Sequence, residues 1–208
     1  MPRLETSEIV AVSIIAGITI FFAWLIKKIL YAAPADIFEA VMEFRYDFIN
    51  SYLEEGRDIN VKNKFGMTLL MVACDKGSKR GGYKYAISND GPYASTLKLI
   101  EYLIIKGIDV NLRDNDGNNA AFYAIGTHDR LRILAEAGID FNNRNNKGET
   151  VMIWSAKRNF FWTVETLLKL RADPEIKDNH GKTALDHATE KNNKRVVEII
   201  KKYDKNAY

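Results

Sequence analysis

A single cysteine, Cys74, has no partner in the chain, so no internal disulfide braces the fold and no four-thiolate metal site can form. Histidine is scarce as well: His128, His180 and His187 stand at no metal-ligand spacing. There is no Gly-rich phosphate loop and no Gly-x-Ser-x-Gly turn, so the sequence implies no enzyme, no cofactor, no metal and no specific small molecule. A dominant charge is also missing. Lysines and arginines are interspersed with acids, the formal net charge is only +3, and nucleic acid is therefore not an expected partner. Only four prolines interrupt 208 residues, and 47% hydrophobic with 27% charged residues is the balance of a folded chain.

Long apolar runs are lacking except at the start. Residues 9 to 26 read "IVAVSIIAGITIFFAWLI", eighteen residues without a charge, flanked by Glu8 and by Lys27-Lys28. Eighteen is the lower edge for spanning a bilayer core, and "ILYAA" beyond the lysines extends the run while those side chains snorkel. After a flank at 1–8, residues 9–30 are therefore expected to be a transmembrane signal-anchor helix, with the lipid bilayer as a partner. A cleaved signal peptide is the competing reading, since "YAAPA" offers small residues near a cut. Basic residues beyond the run lean toward a cytoplasmic location of the remainder.

From residue 35 onward the chain repeats itself. "NKFGMTLLMVAC", "NDGNNAAFYAI", "NNKGETVMIWSA" and "DNHGKTALDHAT" share a pattern whose glycines, Gly66, Gly117, Gly148 and Gly181, lie 51, 31 and 33 residues apart. A second landmark, "EGRDIN", "KGIDVN", "AGIDFN" and "RADPE", recurs in phase with the first. Thr68, Thr150 and Thr183 stand where a hydroxyl caps a helix, and each glycine two residues earlier permits the turn before it. Ala73, Ala124, Ala156 and Ala188 allow neighbouring units to approach closely. Second helices are read at 95–106, 129–137, 162–170 and 194–203, with apolar residues at helical spacing. Asp109, Asp140 and Asp173 recur at one turn position and are read as structural, and Cys74 as a packed core residue.

This pattern resembles the ankyrin repeat, a unit of about 33 residues made of a β-turn and two antiparallel helices. The family's Thr-Pro-Leu-His signature survives only in degenerate form, as Thr68-Leu69-Leu70-Met71, Asn119-Ala120-Ala121-Phe122, Thr150-Val151-Met152-Ile153 and Thr183-Ala184-Leu185-Asp186, without its proline or histidine. The resemblance implies an all-α repeat solenoid, an ankyrin-like stack of five helix pairs with β-turn fingers, preceded by the transmembrane helix. Its units run about 35–62, 63–113 with an insertion at 75–95, 114–144, 145–177 and 178–208. The unit 114–144 is two residues short, which points to a tight turn near Gly126-Thr127-His128.

In the resembled fold a groove is lined by the fingers and the outward positions of the first helices, and partners are proteins. By register the fingers contribute Phe65, Met67, Asp116, Asn118, Lys147, Glu149 and His180, and the first helices Tyr123, Trp154 and His187, with Lys157 and Arg158 a turn further on. The Asn-rich run before Gly148 is then a finger, and Trp154 stands beside Tyr123 on the groove wall, available to a partner or covered by its own neighbours. Phe161 and Trp162 cannot both be inside by the usual register. In the insertion, Tyr83, Tyr85 and Tyr93 alternate with basic residues as a further candidate surface. The expected function is a membrane-tethered, non-catalytic holder of a protein partner. Bacterial ankyrin proteins of this kind include immunity proteins, which makes a toxin or an envelope enzyme the expected partner and the inner membrane the expected location, with the repeats periplasmic in that case. A scaffold within a membrane-protein assembly is the alternative.

Overall fold

The structure, a computed structural model, describes residues 36–75 and 92–205. In chain order these form α1 (Ile37–Met42), α2 (Tyr46–Glu54), α3 (Leu69–Asp75), α4 (Pro92–Ile105), a 3₁₀ turn (Ala120–Phe122), α5 (His128–Glu136), α6 (Val151–Lys157), α7 (Phe161–Lys169), α8 (Ala184–Glu190) and α9 (Lys194–Lys205). The short first elements α1, α3, 3₁₀, α6 and α8 pack each on the next, the second helices α4, α5, α7 and α9 do the same beside them, and each pair is closed by contact between its two members. The expected all-α repeat stack is what is found.

The stack forms because each pair has apolar side chains on the faces that meet its neighbours. Leu69, Leu70, Val151, Leu99, Leu103, Leu131, Leu134 and Leu167 are wholly buried, each contributing roughly 1.5–3 kcal/mol relative to exposure. Ala73, Ala124, Ala156 and Ala188 are also fully enclosed, so the first elements approach at small-residue distance. The last pair closes the stack with charge: Lys191, Lys194, Arg195, Glu198, Lys201 and Lys202 are all exposed, as a terminal unit needs.

Capping threonines set the first helices. The hydroxyl of Thr150 accepts from the Ile153 N–H at 3.3 Å, and that of Thr183 from Asp186 N–H at 3.2 Å, with Asp186 returning a bond to Thr183 N–H. In the short unit the cap is Asn119, whose Oδ1 accepts from Ala121 N–H, one residue nearer. This closer cap tightens the segment into the 3₁₀ turn, so the missing residues are taken up in the first helix as well as at Gly126. α4 also departs from expectation. It starts at Pro92, inside the 75–95 stretch read as insertion, because a proline at the first helical position has no intrahelical N–H to lose.

The transmembrane expectation is corrected. Among the described residues no helix is long and apolar enough to cross a membrane, and the 9–30 stretch lies outside them. The preceding span, the bilayer as partner and the single-pass membrane location accordingly form no part of the functional reading.

Successive fingers are joined by hydrogen bonds that explain the asparagines. Asn115 N–H donates to Phe65 O (3.1 Å), Asn146 N–H to Asp116 O (2.9 Å) and Asn179 N–H to Lys147 O (3.2 Å). The side-chain amides of the same three asparagines donate to Lys64 O, Asn115 O and Asn146 O at 3.2, 2.9 and 3.2 Å. A second ladder runs beside it: Asn60, Asn111 and Asn142 accept through Oδ1 from the N–H of Asp109, Asp140 and Asp173 at 2.8, 2.7 and 2.9 Å.

Glycine is needed where the fingers touch. Gly117 has φ +81°, and a Cβ there would lie 2.6 Å from Asn146 Oδ1 and 2.9 Å from its backbone nitrogen, whereas at Gly138, φ +79°, nothing lies within 4 Å. Arg171, φ +62°, occupies the position that Gly138 holds one unit earlier. Gly138→Ala is expected to cost about 1 kcal/mol for the left-handed backbone, and Gly117→Ala about 3 kcal/mol because the overlap adds to it. Arg171→Gly relieves the same strain and is expected to raise stability by about 0.5 kcal/mol. Urea unfolding midpoints of the three variants check the order.

Candidate protein-binding face

Each finger is a five-residue turn, at 63–67, 114–118, 145–149 and 178–182, built by its first residue. Asn63, Asp114, Asn145 and Asp178 each accept through Oδ1 from the N–H groups two and four residues on, at 2.8–3.1 Å. The third residue is thereby pushed outward. Phe65, Asp116, Lys147 and His180 are exposed and follow one another along the ladder, Phe65 at 60% relative exposure with Lys64 Nζ 5.0 Å from its ring centre. The fifth residue turns inward: Met67 is half-buried, Asn118 and Glu149 are buried, and Glu149 forms an ion pair with the half-buried Lys157.

The expected groove-wall aromatics are covered by their own units. Tyr123 is 7% exposed and its hydroxyl donates to Asp114 Oδ2; His187, also 7% exposed, meets Asp178 Oδ2 through Nε2 at 2.6 Å. Both pairs span nine residues, from the finger's first residue to the outward side of the following helical segment. The finger carboxylate, already fixed by the turn, captures the side chain that register alone would leave facing solvent. Trp154 holds the same position above Asn145. It is 8% exposed, its indole stacked on Phe160 at 5.9 Å and 22°, with the Arg158 guanidinium 3.7 Å from the ring centre. The alternative in which Trp154 is enclosed by its neighbours is therefore the one observed.

At the other end of the helix pairs, past the C-terminus of α6, Phe161 is half-buried and Trp162 is 57% exposed. Their rings lie 5.0 Å apart, with His128 edge-on to Trp162 at 6.0 Å and hydrogen-bonded to Thr166. The finger tips and this cluster are thus not brought together. Tyr83 and Tyr85 lie outside the described residues; Tyr93 falls on the first turn of α4, and its side chain lies outside them too.

Arg130, wholly buried in α5, escaped the reading of the sequence. It donates from an Nη to Cys74 O at 2.9 Å, tying the end of α3 to the next unit. Its spacing of four from Leu134 in "DRLRILAEA" is the signal that placed it on the inward face. Burial pushes the Cys74 thiol up to about 12, in keeping with a packed rather than reactive sulfur.

Burial alone would raise the Asp178 carboxyl, but hydrogen bonds from His187 and from the N–H groups of Lys182 and His180 outweigh it and hold the group at about 2. The folded value lies below the ordinary 3.8, so the stabilisation is present above pH 4 and is lost as pH falls through about 2. It amounts to about 2 kcal/mol. Asn145 shows that asparagine makes the same turn. Asp178→Asn is therefore expected to fold, to be less stable at pH 7, and to lose about 2 kcal/mol less than the parent between pH 5 and pH 2, read by urea unfolding across that range.

The fold and these turns agree with the comparison to known proteins. A family profile described as ankyrin repeats (3 copies) matches residues 84–178 and 146–208. An ankyrin repeat protein of Acanthamoeba polyphaga mimivirus is 27% identical over 80% of this chain and 39% of its own length. One of Rickettsia bellii is 28% identical over 69% of this chain and 81% of its own, and the mitochondrial disaggregase of Bos taurus is 29% identical over 75% and 21%. The chain spans about two fifths or less of the first three relatives, the fowlpox virus protein at 40% included. The profile match lies within residues 84–208, and the expectation of a tethered toxin-immunity or envelope protein goes with the span it rested on. Matched over more than half its length by that profile, the chain belongs to the ankyrin-repeat family.

Proposed function

We propose that this chain is a protein-binding module that holds its partner along the finger side of the repeat stack. One observation carries the reading: the exposed tips Phe65, Asp116, Lys147 and His180 follow one another on a hydrogen-bonded ladder that fixes their spacing. An apolar ring, an acid, a base and an imidazole in a fixed row form a surface with sequence preference, and little entropy is lost in ordering it on binding. The buried groove-wall residues Tyr123, Trp154 and His187 support this surface from beneath and do not touch a partner. Asn118 and Glu149 have the same supporting role.

The Phe161–Trp162 cluster is a second reading, favoured by the exposure of the Trp162 indole, since exposed tryptophans anchor interfaces. Photo-crosslinking separates the two. A photoreactive residue introduced at Lys147 is expected to capture a discrete partner in cells, one at Lys201 on the outer side of α9 is not, and Phe65→Ala is expected to reduce the Lys147 product several-fold. Crosslinking that is equal at both sites, or that is abolished by Trp162→Ala and untouched by Phe65→Ala, would overturn the finger-side assignment.

A further inference from the structure

The residue just before each finger is a cation: Lys62, Arg113, Arg144 and Lys177. All four are exposed. Lys62 Nζ donates to Arg113 O at 2.8 Å, Arg113 donates to Gly117 O at 2.9 Å and to Arg144 O at 2.6 Å, and Arg144 donates to Gly148 O at 3.1 Å and to Asn179 Oδ1 at 3.1 Å. Each of these three is thus locked onto the next finger, and the fourth, Lys177, stands at the same position in the last. Their hydrogen bonds go to neutral oxygens. None of the four forms an ion pair among the described residues, where Glu149, Asp178, Glu190 and Glu165 are committed to Lys157, His187, Lys182 and Lys169. Lys64 and Lys147 lie on the same fingers, also without an ion pair among the described residues. The result is a single file of positive charge, three of its four members held by hydrogen bonds and none of the four in an ion pair among the described residues, with Lys177 acting on the Asp186 carboxylate from a distance.

We infer that this row is the seat of an acidic segment of the protein partner, bound in extended form with carboxylates at every third residue. The inference rests on the finger-side reading and specifies the chemistry of the partner. Units stack at the helix-packing distance of roughly 8–10 Å, which three residues of extended chain span at about 3.3 Å each. Because the guanidinium groups are already ordered, the usual entropy loss that cancels exposed ion pairs is small. Nucleic acid fits less well. A single strand is held by successive rings that stack its bases, and the described finger tips carry only two, Phe65, over which Lys64 already lies, and the His180 imidazole at the far end of the row.

The test uses the full chain and fluorescence anisotropy at about 50 mM salt, where the screening length exceeds 10 Å. The probes are a synthetic peptide with four glutamates at every third position in a Ser/Thr background, its isomer with the glutamates contiguous, and an oligothymidylate of similar length. Saturable binding of the spaced peptide, at least about threefold tighter than the isomer and weakened about tenfold by Lys62→Gln with Lys177→Gln, supports the inference. Arg113→Lys with Arg144→Lys, which keeps the charge and breaks the struts, is expected to weaken binding several-fold without abolishing it, and unchanged affinity in that variant overturns the role given to the ordered row; circular dichroism verifies the fold of each variant. Equal affinity for the two peptides, indifference to the lysine changes, or tighter binding of the oligothymidylate overturns it. Lys147 crosslinks that survive the Lys62→Gln and Lys177→Gln changes at full yield also overturn it while leaving the finger-side reading in place. Absence of any Lys147 crosslink in the parent removes both.

Discussion

The fold turns on how closely one finger can approach the next. At 2.9–3.2 Å between an asparagine N–H and the preceding finger's carbonyl, there is no room for a side chain at the glycine between them. The same asparagine sends its amide to a second carbonyl of that finger. Two bonds per junction, each worth roughly 0.5–1.5 kcal/mol net, are modest in energy but specific in geometry. They set the angle and spacing at which helix pairs meet, so the apolar faces behind them meet in register rather than sliding. Stability in such an array is approximately the sum of units and junctions, and a lost junction is felt by both neighbours.

From this constraint the rest of the finger follows. Its first residue must present an oxygen to two N–H groups, which restricts it to Asn or Asp. Where it is Asp, the carboxylate has a second oxygen free to look inward, and Tyr123 and His187 meet it from nine residues on. Where it is Asn, the partner position holds Val72 or Trp154, which need no carboxylate. The choice between acid and amide at one turn residue is thus coupled to the chemistry of a helix residue two turns away. At Asp178 it also makes the finger answer to pH.

Period, glycines, threonine caps and alternating helix faces were legible because each is a local requirement repeated three or four times along the chain. Thr150 and Thr183 cap the helices they were read to cap, and the apolar sides of α5, α7 and α9 lie inward. The 3₁₀ turn was not legible, since Asn119 and a threonine both read as caps and only the reach of the oxygen, to the second rather than the third N–H, separates them. Tyr123 and His187 lie deeper than register implies, and Trp154 takes the covered of its two readings, for a different reason. Register fixes the direction in which Cβ points, but whether a large side chain then stands in solvent depends on what the finger offers it, and that contact lies across the turn. Arg130 was hidden by its charge, although its spacing agreed with the buried face. The apolar 9–26 run met the length criterion for a span as a string of residues, which is weaker than a helix that spans.

Burial of the groove wall changes what kind of binding surface the chain can offer. A wall of exposed aromatic rings would bind by desolvation and tolerate many partners. Covered as they are, Tyr123 and His187 instead brace their fingers through Asp114 and Asp178, and under the finger-side proposal the surface left to a partner is the row of tips and the file of cations beside it. Such a surface works through charge placement and backbone rigidity. Coulomb energy between exposed ions is small per pair, so selectivity must come from matching several charges at one fixed spacing. The finger ladder supplies that spacing: the hydrogen bonds that hold Arg113 and Arg144 to the next finger are also those that leave their charge facing outward and unneutralised.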